Sequence, residues 1–428
     1  MVSGILFISL IVFLLMSLPI GISIGMSALA TIGVCNPISA ETFVQAMMQG
    51  LNSFPLMAVP LFTFAGEVMG KGGISKRLIN AAKVVSGRAT GGLGIVTIIT
   101  SLFFAAIAGT GSAAVAAIGL IMIPTMVEHG YDKGYSSALV ATAGTVGVII
   151  PPSVCMVVYA VSAGASIPGL FMAGIVPGLV IGAGLIIYSY LYSKKMGYKG
   201  DDKHYTFGEV VKIFADAIPG LLIPVIILGG IYGGVFTPTE AAAIAGVYGV
   251  LVGIYVYKEI KWSDLLHIIY RSVLLCAPVL IIIGISTGFG RILTIAQIPE
   301  KIAALILGLT SNKFVVLMLI NILLLIVGTF METNAAIIIL TPILLPIVKT
   351  LGVDPIHFGI IIVMNLSIGF ITPPLGANLF MACQVGNISY DNLVKKIWPW
   401  IIVMIILLLL VTYIPSISMA LPRALGMA

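Results

Sequence analysis

The chain has 428 residues, of which 60% are hydrophobic and 8% are charged, against roughly 45–50% and 25% in soluble domains. This composition excludes a water-soluble globular protein. Apolar stretches long enough to cross a hydrocarbon layer of about 30 Å, which needs about 20 helical residues, recur from Leu6 to Leu410. The sequence therefore predicts an all-α polytopic membrane protein. Its first apolar run shows no cleavage pattern, so we expect the N-terminus to be retained.

The formal net charge of +6 arises from basic residues that cluster at 71–88, 194–212 and 258–271. In a membrane protein such clusters indicate orientation and not nucleic-acid binding. The segments 71–88, 194–212 and 258–261 are predicted to lie on the cytoplasmic side. The four cysteines are scattered among apolar residues without ligand spacing, so neither a metal site nor a disulfide framework is supported.

In chain order, hydropathy predicts about ten membrane crossings, with boundaries accurate to a few residues. They cover residues 2–17, 20–35, 54–70, 133–165, 169–193, 218–234, 238–257, 264–290, 355–385 and 394–420. Short basic or amphipathic segments at 74–86 and 299–309 are expected to lie along the membrane surface.

Two further apolar segments, 92–128 and 314–350, are each divided by a polar or glycine-rich tip. The tips are residues 109–112 and 328–334. Each arm has about 15 residues and rises only about 22 Å as a helix, which is too short for a comfortable crossing. Both segments are therefore predicted to be re-entrant helical hairpins.

An internal repeat relates the two halves, because a constant shift along the chain aligns 113–177 with 335–399 without a gap. Matched residues include Pro151/Pro373, Pro152/Pro374 and Gly147/Gly369. The predicted halves are 1–193 and 218–428, joined by a cytoplasmic connecting loop at 194–217. Each half has about five transmembrane helices, one hairpin and one broken helix, and the odd number of crossings makes this an inverted repeat.

The breaks themselves are the segments 145–153 and 367–376, each of which carries a Pro-Pro pair. Consecutive prolines remove two N–H donors and disfavour helix before them, which frees upstream carbonyls. Carbonyls and hydroxyls are hard ligands for a small cation, and helix N-termini after a break favour an anion. The alternative is that each Pro-Pro pair merely kinks a helix for packing.

Three polar residues near these features have two readings. Glu332 lies in the second tip, and a buried acid there favours a place near a transport site. Asn334, which aligns with Ser112, is a ligand candidate or an N-cap for the second arm. Glu240 follows Thr237-Pro238-Thr239 and is either functional or a complement to a helix N-terminus. No nucleotide-binding loop or nucleophile elbow is present, so direct ATP use is unsupported.

Three motifs together resemble a known family: residues 109–113 (GTGSA), 236–243 (FTPTEAAA) and 369–380 (GFITPPLGANLF). They are similar to the large membrane subunit of tripartite ATP-independent periplasmic (TRAP) transporters, over essentially the whole chain. The resemblance implies an elevator-type secondary transporter in the bacterial inner membrane. It would take an organic anion from a periplasmic substrate-binding protein and be driven by Na⁺ as the coupling ion, with no other cofactor. A small four-helix membrane subunit is implied as a separate partner.

The resemblance also implies where ligands bind, between hairpin tips and adjacent breaks. The predicted cation ligands are Gly111, Ser112, Thr145, Gly147, Asn334, Gly369 and Thr372. The predicted substrate contacts are Ser112, Pro151, Pro152, Glu332, Asn334, Pro373, Gly376 and Asn378. The first tip, without a following acid, favours a C4-dicarboxylate, with sialic acid or another sugar acid as the alternative.

Other functions compete with this one. A stand-alone sodium-coupled anion symporter of related fold would need no binding protein, and a channel would line a continuous pore with its broken helices. An intramembrane enzyme is the least favoured, because the sequence offers no nucleophile and base pair.

Overall fold

A computed structural model describes residues 2–201, 204–310 and 312–427. The first half of the chain contains α1 (Val2–Leu15), α2 (Ile20–Cys35), α3 (Ala40–Leu51), α4 (Ala58–Lys71), α5 (Ile74–Ser86), α6 (Gly92–Ala108), α7 (Gly111–Glu128), α8 (Lys133–Thr145), α9 (Val154–Ala163) and α10 (Ile167–Met196). The second contains α11 (Phe207–Tyr232), α12 (Pro238–Leu251), α13 (Trp262–Ile295), α14 (Ile298–Leu309), α15 (Lys313–Phe330), α16 (Thr333–Thr350), α17 (Pro355–Gly369), α18 (Ala377–Gly386), α19 (Tyr390–Tyr413) and α20 (Ser416–Ala424).

The described part of the chain has eight helices that are long and apolar enough to cross a membrane, or nine if a bent pair counts as one span. They are α7, α10, α11, α12 with the π-helical turn Val252–Val256, α13, α15, α16 and α19. The prediction of an all-helical polytopic membrane protein is confirmed.

Three of these eight helices are arms of the predicted hairpins. The arm pairs α6–α7 and α15–α16 begin and end within a residue of the predicted hairpin bounds, and each pair is joined by a two-residue turn. Length and hydropathy alone count such arms as spans. The re-entrant course of the hairpins therefore stays a prediction, as does the division into inverted halves.

Four boundaries differ from the sequence-based expectation. Residues 36–53 are predicted as a loop but contain α3, which Ser39 caps by accepting the Thr42 N–H at 3.1 Å. The α3 segment is bent by 60° against the segment that holds α4 and packs on α13. Helix α11 starts eleven residues early because Thr206 and Glu209 form a capping box. Helix α13 continues to Ile295, and the last predicted span ends at Tyr413, followed by a separate α20.

Local structure recurs at the matched positions of the repeat. Asp132 and Asp354 both cap the helix that follows, α8 and α17. Gly130 and Gly352 both have positive φ, +80° and +68°, which glycine adopts at no steric cost. The turn between each predicted hairpin and the broken helix that follows it therefore has the same local structure.

The broken helices lie at the centre of the molecule. Every residue from Gly134 to Thr145 in α8 and from Ile356 to Gly369 in α17 is buried. By contrast, only 22% of the apolar window in α11 and 28% in α13 is buried within the chain. Apolar helices with so little of their surface covered by protein, such as α11 and α13, are suited to lipid contact. The broken helices, by contrast, are enclosed by protein.

Candidate transport site

The first break lies directly against the first hairpin tip. After α8, residues Val146–Val148 form one 3₁₀ turn, and the peptide bond between Pro151 and Pro152 is cis. A Cβ added at Gly147 would lie 3.0 Å from the Thr110 carbonyl oxygen. Glycine at this position therefore allows the tip to touch the broken backbone.

Several oxygens converge on this contact. A Cβ added at Gly111 would lie 3.1 Å from the Gly144 carbonyl oxygen and 3.3 Å from Oδ1 of Asn378. Thr145 is fully buried, and its hydroxyl donates to the Thr142 carbonyl at 2.7 Å. Backbone carbonyls and an amide oxygen thus lie near the tip, although Nδ2 of Asn378, at 3.2 Å from the Cβ added at Gly111, is as close as its Oδ1. Oxygens of these kinds are the ligands that small hard cations prefer.

The second break meets the second hairpin in a related way, but with a different contact. An added Cβ at Gly369 would collide with the backbone of Gly328 in α15, one turn before Glu332. Thr372 donates its hydroxyl to the Ile368 carbonyl at 2.8 Å, so the hydrogen is bonded back to its own helix. Its oxygen keeps acceptor capacity. The peptide bond between Pro373 and Pro374 is also cis.

Buried amide oxygens without a partner mark this region. Asn334 is 7% exposed and Asn378 is 0% exposed, and the Oδ1 atom of each has no hydrogen-bond partner among the described residues. Their Nδ2 groups donate to Glu332 Oε1 at 2.8 Å and to the Ala141 carbonyl at 3.1 Å. An unsatisfied buried acceptor is costly, and a bound cation would satisfy it.

The two tips differ in how their second arms begin. Helix α16 is capped by Glu332, whose Oε2 accepts the Ala335 N–H at 3.0 Å. The reading of Asn334 as this cap is therefore wrong. Helix α7 begins after Thr110, which makes no side-chain capping bond. The α7 N-terminus thus keeps its partial positive charge available to a ligand.

Glu240 has a structural role in this protein. It forms a capping box with Thr237: the Thr237 N–H donates to Glu240 Oε2 at 2.8 Å, and the Glu240 N–H donates back to the Thr237 hydroxyl at 3.3 Å. Its side chain is exposed. Of the two readings from sequence, the complement to a helix N-terminus describes the geometry.

A cavity of about 550 Å³ lies between the tips and two other helices. On one side stand the first tip, α7, α18, Glu332 and Asn334. On the other side stand one face each of α4 and α13. Of the predicted substrate contacts, the structure places Ser112, Glu332, Asn334 and Asn378 on the cavity wall. Pro151, Pro152, Pro373 and Gly376 are not among its lining residues. All these assignments stay predictions.

Sequence reasoning missed three charged residues of the cavity: Glu67, Lys71 and Arg271. Arg271 Nε lies 3.7 Å from Glu67 Oε2, and their side chains are 53% and 16% exposed. The available signal was a charge within a predicted span, since an ionisable residue at membrane depth indicates function. This signal was missed because Lys71 and Arg271 were assigned to basic clusters that indicate orientation.

The fold and this site define a membrane transporter with hairpin tips set against broken helices. The family model described as "Tripartite ATP-independent periplasmic transporter, DctM component" matches residues 7–417. The chain belongs to this family, and so is a large permease of a TRAP transporter. A transporter, not an enzyme, is thereby confirmed.

Individual relatives agree. The chain is 50% identical over 407 residues to a protein of Oleidesulfovibrio alaskensis named isethionate TRAP transporter permease protein DctMQ, covering 95% of this chain and 64% of that relative. The chain thus spans just under two thirds of that relative's length. It is 40% identical to the C4-dicarboxylate TRAP transporter large permease protein DctM of Pseudomonas aeruginosa, covering 95% of each.

A solved structure shares the fold. The YdaH transporter of Alcanivorax borkumensis superposes with a TM-score of 0.65 at 16% identity, covering 90% of this chain and 89% of that one. At this identity the likeness concerns the fold alone.

Proposed function

We propose that this permease couples the inward movement of Na⁺ to uptake of a small organic anion across the bacterial inner membrane. The observation that carries the proposal is the cavity wall on which an uncapped helix N-terminus, at α7, stands beside two unpartnered buried amide oxygens. The first feature suits an anion and the second suits a cation. Symport needs both within reach of each other.

The sodium part rests on the oxygens. At the first tip these are the Thr110 and Gly144 carbonyls with Asn378 Oδ1, and at the second tip Asn334 Oδ1 with the neighbouring backbone. Ser112, Gly111, Gly147, Gly369 and Thr372 frame these two places. At the first tip these neutral oxygens leave the charge of the ion uncompensated, so a nearby substrate anion would favour its binding.

The substrate is proposed to carry a carboxylate or sulfonate. The two relatives above are named for isethionate and for C4-dicarboxylates, and both names denote organic anions. The first tip favours a C4-dicarboxylate by resemblance, whereas the higher identity belongs to the isethionate relative. These two anions are therefore the first to test.

A separate small membrane subunit and a periplasmic binding protein are proposed as partners, because the family is tripartite. The substrate would pass from the soluble binding protein to the cavity. A movement of the tips and breaks past α4 and α13 would then carry the substrate across the membrane. For such a step the binding protein must prefer one conformation, since equal affinity for both shifts nothing.

Reconstitution tests the proposal. The chain is placed in liposomes with its small subunit, and labelled succinate or isethionate is offered with the binding protein. We expect uptake with an inward Na⁺ gradient and none when choline replaces Na⁺. Sodium-independent uptake would refute the coupling, and equal uptake by the chain without either partner would support the stand-alone symporter instead.

A further inference from the structure

The far wall of the cavity carries a charge pattern that the proposed site does not use. Helix α4 contributes Val59, Thr63, Gly66, Glu67, Gly70 and Lys71, which recur every three or four residues and so form one face of the helix. This face is about 18 Å long. Its Val59 end is apolar, while its charges lie together at the Lys71 end.

Helix α13 repeats this gradient. It lines the cavity from Arg271 to Ile282, about 16 Å along its axis, and Arg271 is the only charged residue in that stretch. Arg271 faces Glu67 across the two helices. The charged ends of both helices therefore meet at the same end of the cavity.

Arg271 lies about 13 Å along the helix from Trp262, the start of α13. An arginine inside a predicted span is costly unless it faces a protein interior, a partner or a water-filled cavity. Here it has both a partner and a cavity, but the pairing is incomplete. Its one ion pair runs through Nε at 3.7 Å, and its side chain is half exposed. Within the described residues, its terminal nitrogens make no hydrogen bond.

We propose that Arg271, assisted by Lys71, binds the anionic group of the substrate at the cytoplasmic mouth of the cavity, and that Glu67 positions the Arg271 guanidinium through Nε. The side of the membrane is the predicted cytoplasmic side of the basic segments 71–88 and 258–261, which adjoin these helix ends. A guanidinium held through Nε keeps its two terminal nitrogens for a planar carboxylate or a sulfonate. This inference rests on the proposed function.

This role of Arg271 concerns the anion on the cytoplasmic side of the membrane. On the outer side the proposed binding protein supplies the anion, whereas on the inner side the anion is released into the cytoplasm. A cationic mouth concentrates anions locally. Loss of Arg271 should thus weaken interaction with the internal anion far more than with the external one.

The test is exchange in proteoliposomes that contain the complete transporter. Vesicles are loaded with a series of isethionate or succinate concentrations, and entry of the labelled anion from its binding protein is measured at equal Na⁺ on both sides. For Arg271→Gln we expect the half-saturating internal concentration to rise about tenfold, as expected for a lost charge-assisted hydrogen bond. The half-saturating Na⁺ concentration and the external half-saturation should stay within about twofold of wild type.

Variants separate binding from folding. Arg271→Lys should restore part of the internal affinity, and Glu67→Gln, which keeps an oxygen for Nε and removes a repelling charge, should lower the internal half-saturation about two- to threefold. If Glu67 served only to hold α4 to α13, its neutralisation would not be expected to strengthen binding of the internal anion. Arg291→Gln, an exposed position further along α13, is the matched control and should behave as wild type.

The outcomes separate the two proposals. If wild-type vesicles show no uptake driven by an inward Na⁺ gradient, the proposed function fails and the inference with it. If that uptake is normal but the internal anion has no effect on entry of the label, or if Arg271→Gln has an unchanged internal half-saturation, the inference alone is overturned. Should Arg271→Gln fail to assemble, Lys71→Gln, which should raise the internal half-saturation, and Glu67→Gln, which should lower it, decide the question.

Discussion

The two hairpin tips occupy matched places in the repeat, yet they offer a ligand different chemistry. Thr110 stands at the position of the first half that corresponds to Glu332 in the second. The first tip leaves the α7 N-terminus uncapped, while the second fills the α16 N-terminus with the Glu332 carboxylate. A helix end that already holds its own anion cannot hold another. From this comparison we propose the first tip for the substrate anion and the second for a cation.

The breaks differ as well. Gly147 faces the Thr110 carbonyl at the tip itself, whereas Gly369 lies against Gly328, one turn before Glu332. The second contact joins backbone to backbone at closer range. The second contact leaves no room for any side chain. The second hairpin is therefore in closer backbone contact with its break than the first hairpin is.

The largest effect is expected for Gly369→Ala. The added methyl meets the Gly328 backbone, which cannot rotate away, so we expect a loss of stability near the upper end of the about 1–3 kcal/mol typical of overpacking. Uptake should be abolished. Gly147→Ala, with 3.0 Å to the Thr110 oxygen, should cost less. Thermal unfolding in detergent and uptake measure both, and Gly229→Ala, with open space around it, is the control. Equal losses at Gly147 and Gly369 would contradict the comparison.

The next effect is expected for Thr110→Glu, which copies the second tip onto the first. The new carboxylate should cap α7 as Glu332 caps α16 and exclude the substrate, raising the KM for the anion about tenfold or more, since a helix terminus and its anion are worth up to about 2 kcal/mol. Apparent sodium affinity should not fall, because a nearby anion favours a cation. Thr110→Gln provides the neutral control. An unchanged KM would place the substrate anion elsewhere.

A smaller effect is expected for Asn334→Ala. Removing its unpartnered amide oxygen takes one ligand from the second site, and we expect the half-saturating Na⁺ concentration to rise about tenfold, the equivalent of about 1.4 kcal/mol. Asn321→Ala is the matched comparison, because both ends of that buried amide already bond to Thr412 and Asn365. It should lower stability without altering the sodium response. The reverse pattern would remove Asn334 from the site.

The smallest effect is expected for Thr372→Ala. Its hydroxyl already donates to Ile368, so the variant loses a back-bond of about 1 kcal/mol together with whatever its oxygen gives the ion. The sodium half-saturation should rise about two- to threefold, and Thr372→Ser should restore it. Sodium titrations of uptake decide the point. A response as large as that of Asn334→Ala would mean that the hydroxyl is a principal ligand.

The sequence by itself determined the class of protein, the hairpin tips and both breaks. Composition determines that the chain lies in a membrane, because a chain with 60% hydrophobic and 8% charged residues is not a water-soluble globular protein. Glycine and Pro-Pro pairs are local constraints on the backbone, so their positions are legible without any knowledge of packing.

The tertiary structure decided what depends on which elements meet. No local signal reveals that Asn378 of one half reaches the Ala141 carbonyl and the Gly111 tip of the other, since these contacts join segments that are far apart in the chain. Likewise, only the structure shows that Glu332 and not Asn334 caps α16, because it is Glu332 that accepts the Ala335 N–H. Glu67 and Arg271 fall inside predicted spans and Lys71 lies at the edge of one, and only the packing of α4 against α13 places the three on one cavity wall.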